Sequence, residues 1–242
     1  MFISFSCSGL ITLPIERLVA TLTYTMYAIN VLTYTLHVNA PIDKESAMAR
    51  QKRADMIAAT RSKLIAAGRK AFAEKGYADT AMEDLTADVE LTRGALYHHF
   101  GGKKGLLEAV IAQIDEESSA RLRAVVEQAS SPWEGFVEES VEWIRLALEP
   151  EIRRIVLLDG PAVLGEPARA ASHSACLIST MQSIEALIEQ NVIKPVDARA
   201  TAYLVNGAAL NASLWIAGAD DPQQASADAI ASFRELLSGL RR

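Results

Sequence analysis

From about residue 53 onward, apolar positions recur every three to four residues, the period of helices that each bury one face. Ile57, Leu64, Ala67, Ala71 and Phe72 share a face of a first helix. Lys75-Gly76-Tyr77 stops it, with glycine in the C-terminal capping role. Thr80 is expected to cap a short second helix, with Glu83 three residues on completing a capping box. That helix carries Met82, Leu85 and Val89 inward. Thr92 is expected to cap a third helix over 93–99, which Gly101-Gly102 ends. A fourth begins near Lys103 and runs to about Ala129, with Leu106, Leu107, Val110 and Ile114 inward. Further helices are predicted at 133–148, 151–158, 168–191, 197–217 and 222–240. Ser131-Pro132, Glu149-Pro150, Gly160-Pro161, Lys194-Pro195 and Asp221-Pro222 mark the breaks. No strand pattern interrupts this run. The fold class is all-α: a three-helix helix-turn-helix module at the N-terminal side, joined to a larger helical body.

The first 47 residues do not share this pattern. They are rich in Thr and Tyr, and Leu18–Asn39 holds no Asp, Glu, Lys or Arg. Thr21, Thr23, Thr25, Thr33 and Thr35, with Asn30, His37 and Asn39, make the stretch poorly apolar for a membrane span. It also lacks the basic start and small-residue cleavage motif of a signal peptide. Met48 is followed at once by Ala-Arg-Gln-Lys-Arg, and Leu-Thr-Tyr-Thr occurs twice, at 22–25 and 32–35. The expectation is that 1–47 is upstream sequence carried in frame and that the working protein begins at Met48. A poorly ordered extension or a membrane anchor are the alternatives. The expected domains are therefore 1–47, an atypical extension; 48–107, the helix-turn-helix module; and 108–242, the body.

Composition changes this picture little. Of 242 residues, half are hydrophobic, enough for a sizeable core. The two cysteines, Cys7 and Cys176, are too few for a disulfide framework and are read as free thiols of a cytoplasmic protein. Charge adds more. The net charge is −6, yet residues 49–107 carry 11 Lys and Arg against 7 Asp and Glu, while 108–242 carry 11 against 20. A basic module on an acidic body suits a protein that meets a polyanion with one end. No nucleophile–base spacing, metal-ligand cluster or phosphate-binding loop points to an enzyme, and no cofactor or metal is expected.

The chemistry lies in the third helix. A supporting helix at 81–88, a turn at 89–91 and a short helix at 92–99 have the layout of a helix-turn-helix. Gly94 and Ala95 are small enough for close approach to base edges. Thr92 and Arg93 stand at the N-terminal end that such helices present to the major groove, where Arg93 has the fork to grip a guanine. Tyr97, His98 and Lys103 flank it where phosphates would lie, and Lys103 opens the next helix. Leu96 and Phe100 are read as core, and Tyr97 as either a contact or a cover for the module's edge. His99 is read as a packed side chain.

Residues 53–110 resemble the TetR family of bacterial repressors. The resemblance rests on Ala66-Ala67 through Phe72, Glu74-Lys75-Gly76-Tyr77 and Thr80. It rests above all on Gly94-Ala95-Leu96-Tyr97-His98-His99-Phe100 followed by Gly102-Lys103-Lys104-Gly105-Leu106-Leu107. It covers about a quarter of the chain. It implies DNA contacts from Thr80, Thr92, Arg93, Ala95, Tyr97, His98 and Lys103. It also implies a homodimer on a palindromic operator, released by a small-molecule effector. Alternatives are a membrane-tethered regulator or one insensitive to any ligand. The family usually has glycine in the turn, where this chain has Glu90.

In the body, Trp133, Phe136, Trp143, Leu146, Leu157 and Met181 are candidate linings of an effector pocket, or ordinary core. His173 and Cys176, three apart, add a candidate ligand contact but are too few for a metal. Ala200, Leu204, Gly207, Ala208, Asn211 and Trp215 share one face of the penultimate helix, and Ile230, Phe233 and Leu237 are offered by the last. Two such helices from each of two copies would make a four-helix bundle.

Overall fold

The computed structural model describes residues 44–87 and 92–242, without the side chains of 44–46, 87 and 166–174. The expectations for residues 1–43, Val89, Glu90 and Leu91 therefore lie outside the described residues. The chain divides after Met56 into two units. Within the first, Lys44 to Met56 is the opening of a long helix, α1 (Lys44–Lys75), so helix begins upstream of the expected start near 53 and passes through Met48. Its side chains from Met48 to Met56 are exposed.

The second unit, residues 57–242, holds the rest of α1 and nine further helical segments among the described residues. They are α2 (Asp84–Ala87), α3 (Arg93–Phe100), α4 (Lys103–Gln128), α5 (Pro132–Leu146), α6 (Ile152–Asp159), α7 (Gly160–Leu164), α8 (Glu166–Glu189), α9 (Ala198–Gly218) and α10 (Pro222–Ser238). The expected all-helical architecture holds: among the described residues the only β pairing is an isolated bridge between Ile193 and Arg241. No described helix is long and apolar enough to cross a membrane.

Helix ends are set by local chemistry. The Ser131, Asp197 and Asp221 side chains each accept a backbone N–H of the following turn, with proline at the start of α5 and of α10. One expected break fails. Helical structure continues through Gly160-Pro161, because α6 is a π-helix and Pro161 supplies no donor just where the hydrogen bonding returns to α. The chain breaks instead at Gly165, where φ is +73°.

The core runs without interruption from module to body, through Leu64, Phe72, Leu96, Leu106, Leu107, Ile114, Ile144 and Ile155. The boundary expected at 107/108 falls inside α4. Two expected faces are corrected. Ile57 is exposed; the inward face of α1 begins at Leu64 and includes Gly68, where a Cβ would stand 2.9 Å from Leu106 Cδ2. On α10, Phe233 and Leu237 are buried within their own chain, and Leu236 is the exposed apolar residue.

Candidate nucleic-acid interface

The candidate reading helix α3 is fixed at both ends and underneath. Thr92 Oγ accepts the Ala95 N–H at 3.2 Å, the expected cap. Gly101, with φ +69°, closes the other end and returns its N–H to Tyr97 O at 2.9 Å. Leu96 is fully buried and Phe100 packs on the core. Arg61 of α1 lies over the Phe100 ring, 4.5 Å from its centroid, and donates to His99 O at 3.3 Å. A cation thus meets the C-terminal end of α3, the favourable end for positive charge. Arg61 carries no local sequence signal for this role, since its partner lies 38 residues away.

The outer face of α3 is left free. Thr92, Arg93, Gly94, Tyr97 and His98 are exposed, with Ala95 half-buried and Tyr97 58 % accessible. Arg93 Nη2 sits 2.8 Å from Glu83 Oε1, with both side chains largely in water, so the pair is weak and readily exchanged for another acceptor. Lys103, half-buried, holds its Nζ 4.3 Å from the Tyr77 ring centroid and donates to Ala78 O at 3.4 Å, beside the start of α4. Thr92, Arg93, Gly94, Tyr97 and His98 thus form an exposed strip on α3, and Lys103 stands at the start of α4 just beyond its C-terminal end.

Thr80 does not belong to that strip. It is 2 % exposed, and its hydroxyl donates to Gly76 O at 2.6 Å and to Ala71 O at 3.3 Å. The expected capping box is absent for the same reason. Asp84 instead accepts the Ala81 N–H at 3.0 Å, and α2 starts there rather than at 81. Backbone-hydroxyl bonding in the turn after Gly76 outcompetes capping by Thr80.

Contacts from α4, from α6 and from the residue before α6 tie the module to the body. Arg69 of α1 donates to both oxygens of Glu151, at 2.5 and 2.8 Å, and to Glu117 at 2.8 Å. Just past the C-terminal end of α1, Asp159 Oδ2 accepts the Tyr77 N–H at 2.7 Å and faces Arg154 Nε at 3.4 Å. Gly76 must be glycine here: φ is +83°, and a Cβ would overlap the Arg154 guanidinium. Burial raises the Tyr77 hydroxyl above its ordinary range. The Glu151 carboxyl is held below the usual range, chiefly by the hydrogen bonds from Arg69. A depressed carboxyl stabilises the folded state fully above its unfolded pKa, about 4.3, and loses that contribution as pH falls through the folded value. Glu151→Gln is expected to lower stability near neutrality by about 2 kcal/mol and to flatten the acid limb of Tm against pH. An unchanged acid limb in the variant would rule out this pair as its source.

Of the eight candidate pocket residues, Trp143, Leu146 and Leu157 come together. They line a cavity of about 10 Å3 with Ile152, Val156 and Ser213. That is room for about one water, so the recess is nearly filled by its own walls. The others are dispersed. The Trp133 and Phe136 rings meet at a 40° tilt, centroids 6.0 Å apart, with Arg241 over Trp133; Met181 packs on the core. Cys176 is exposed, its Sγ 3.7 Å from Asn206 Nδ2, and the His173 side chain lies outside the described residues.

Comparison with known proteins gives a consistent picture. Residues 64–110 match the profile described as bacterial regulatory proteins, tetR family, and residues 133–240 match that of a tetracyclin repressor-like C-terminal domain. A TetR-family transcriptional regulator of Pectobacterium atrosepticum, known as a crystal structure, is 46 % identical, with a TM-score of 0.70; the match covers 77 % of this chain and 96 % of that one. The transcriptional regulator UidR of Escherichia coli K12 is 35 % identical over 134 residues, 55 % of this chain and 64 % of UidR. The repressor AcnR of Corynebacterium glutamicum is 30 % identical over 121 residues, 46 % of this chain and 62 % of AcnR. The chain thus spans a little under two thirds of the length of these two relatives.

Proposed function

The chain belongs to the TetR family of bacterial regulatory proteins, and on that premise we propose that it is a DNA-binding transcriptional repressor, dimeric and released by a small-molecule effector. The observation that carries this reading is the outer face of α3. A capped, internally anchored helix presents Thr92, Arg93, Tyr97 and His98 to solvent, with Gly94 and Ala95 leaving its surface low. A reading helix needs that combination to enter a major groove. In this assignment Arg93 exchanges Glu83 for a guanine edge. Tyr97, His98 and Lys103 meet phosphates, and Thr92 positions the helix end. No DNA role is proposed for the Thr80 side chain.

A dimer is supported by the apolar strip left uncovered on α9, where Leu204 is 74 % and Trp215 54 % exposed, with Leu236 of α10 at 69 %. A palindromic site would then be read by two copies of α3. An effector response is supported by α6. Its Ile152, Val156 and Leu157 wall the small cavity, while Glu151 and Asp159 at its two ends hold the module. Opening the cavity must move the helix that fixes the module, so ligand and DNA are coupled through one element.

Selection of bound DNA from a random pool tests the reading: a palindrome is expected, and failure to enrich any sequence would overturn it. On the selected duplex, Arg93→Ala is expected to weaken binding about 30-fold and to relax preference at one base position. Lys103→Ala should weaken binding to all sequences alike and reduce the salt dependence by about one counterion.

A further inference from the structure

Where module meets body, a cavity of about 130 Å3 is walled by Arg69 of α1, Glu117 and Arg121 of α4, and Glu149 and Glu151 ahead of α6. Ile114, Ser118, Leu146 and Ile152 line it as well, and the same four residues line the small, mostly apolar cavity of Trp143, Val156 and Leu157. The two adjoin, one charged and the other mostly apolar, with Asp115 and Ser213 also on the walls of the second.

The charged cavity holds three carboxylates against two guanidiniums, and both guanidiniums are shared. Arg69 bonds Glu117 and Glu151; Arg121 bonds Glu149 and, at 2.6 Å, the largely buried Glu142. Negative charge is in excess, and every carboxylate on its walls already accepts from a planar cation. A metal ion does not suit it: among the described residues no three His, Cys, Asp or Glu side chains converge on a point. The acceptors Glu117 and Glu151 also do a second job, since they tether Arg69 of the module.

We infer that these adjoining cavities take an organic cation with an apolar tail. Its ammonium or amidinium group would lie against Glu117, Glu149 and Glu151, its tail would enter between Trp143, Val156 and Leu157, and it would act by taking from Arg69 the carboxylates that tether the module. This rests on the effector-responsive reading above. The tail opens the small cavity and shifts α6; the head removes the ionic tie of α1 to that helix. Both ends of one molecule thus loosen the same junction. A ligand head on Glu117 and Glu151 competes with Arg69 for their oxygens, so each weakens the hold of the other.

The full chain is tested with matched compounds: butyl-, hexyl- and phenethylammonium, the corresponding alcohols and the corresponding carboxylates. Tryptophan fluorescence reads binding, Trp143 lining the recess, and displacement from the selected duplex reads release. Each ammonium that binds is expected to do so at least about tenfold more tightly than its alcohol, the size of one charge-assisted contact. Arg69→Gln should tighten ammonium binding by about tenfold and leave the alcohols unchanged, because it frees the acceptors. A role for Arg69 confined to packing would move both compounds or neither. Glu149→Gln, whose carboxylate touches Arg121 and not Arg69, should weaken ammonium binding by about tenfold. The inference is overturned by carboxylates or alcohols that match the ammonium compounds, by weaker ammonium binding in Arg69→Gln, or by no ammonium response up to about 10 mM. Binding of the unliganded chain to DNA separates two failures. A chain that holds its duplex whatever the cation overturns this inference alone; one that selects no DNA overturns the reading beneath it.

Discussion

Gly105→Ala is expected to destabilise the module by about 3 kcal/mol and to abolish sequence-specific DNA binding. A Cβ at Gly105 would stand 1.9 Å from Phe100 O and 3.1 Å from its carbonyl carbon. Both are backbone atoms at the end of α3, so no rotamer change relieves the overlap. The chain reverses between α3 and α4 through Gly101 at φ +69° and Gly102 at φ +129°, and Leu106 N–H closes the turn on Gly102 O at 3.1 Å. Leu106 and Leu107, next in sequence, are fully buried, as is Leu96 of α3. Moving α4 outward to admit a methyl group would lift two core leucines and tilt the reading helix together. A loss of about 3 kcal/mol is a large part of the stability of an ordinary domain. Gly68→Ala is the informative control. Its Cβ would come no closer than 2.9 Å, and its nearest neighbours are side-chain atoms of the buried Leu106 and Val110 rather than backbone. Urea unfolding should therefore place Gly105→Ala well below Gly68→Ala. Equal midpoints would mean that the α3–α4 turn yields more easily than its backbone contacts imply.

Much of the module was legible because its signals are local. A cap at Thr92, a left-handed glycine at 101 and apolar residues at helical spacing in α4 need no knowledge of the rest of the chain. The exposure of the candidate strip on α3 rests on the same local facts, as does the closure of α1 at Gly76. Where the reading failed, tertiary packing had decided. Thr80 has the residue type and spacing of a cap, but the turn after Gly76 folds it inward, so its hydroxyl bonds to carbonyls. Ile57 fits the apolar period of α1 and still faces water. Periodicity says that a helix has a face; it does not say whether another part of the chain covers it. The ties that join module to body were silent for the same reason. Arg69 pairs with Glu117 and Glu151 across 48 and 82 residues, and nothing near Arg69 in sequence announces either partner. The change of register at α6, which carries helix past Pro161, has no signature in a pattern of 3.6.

The same ambiguity, whether an apolar helical face meets its own chain or another, sets up the second prediction with a large effect. Leu204→Glu is expected to raise the dissociation constant of the proposed dimer by about 100-fold or more while leaving the fold of each copy intact. Leu204 is 74 % exposed on α9, and Asn211 and Trp215 follow at spacings of seven and four on the same outward side. Gly207 and Ala208 lie between them, and a Cβ at Gly207 would meet nothing within 4 Å. A face both apolar and low at its centre lets a second helix approach closely. In a two-fold dimer each substitution is present twice near the axis, so two carboxylates would be buried against apolar surface and close to each other. Because the wild-type side chain touches little of its own chain, thermal stability measured at high dilution should scarcely change. Phe233→Ala separates this face from the one first expected on α10. Phe233 is buried inside its own chain, so its loss should destabilise the fold by about 3–4 kcal/mol. Sedimentation equilibrium reads the first effect and urea unfolding the second. A Leu204→Glu chain that remains dimeric would move the interface off α9. If it instead becomes monomeric and also loses cooperative binding to the two halves of its operator, then the spacing of the two reading helices is set by this contact, and the junction at α6 acts on DNA only by working against it.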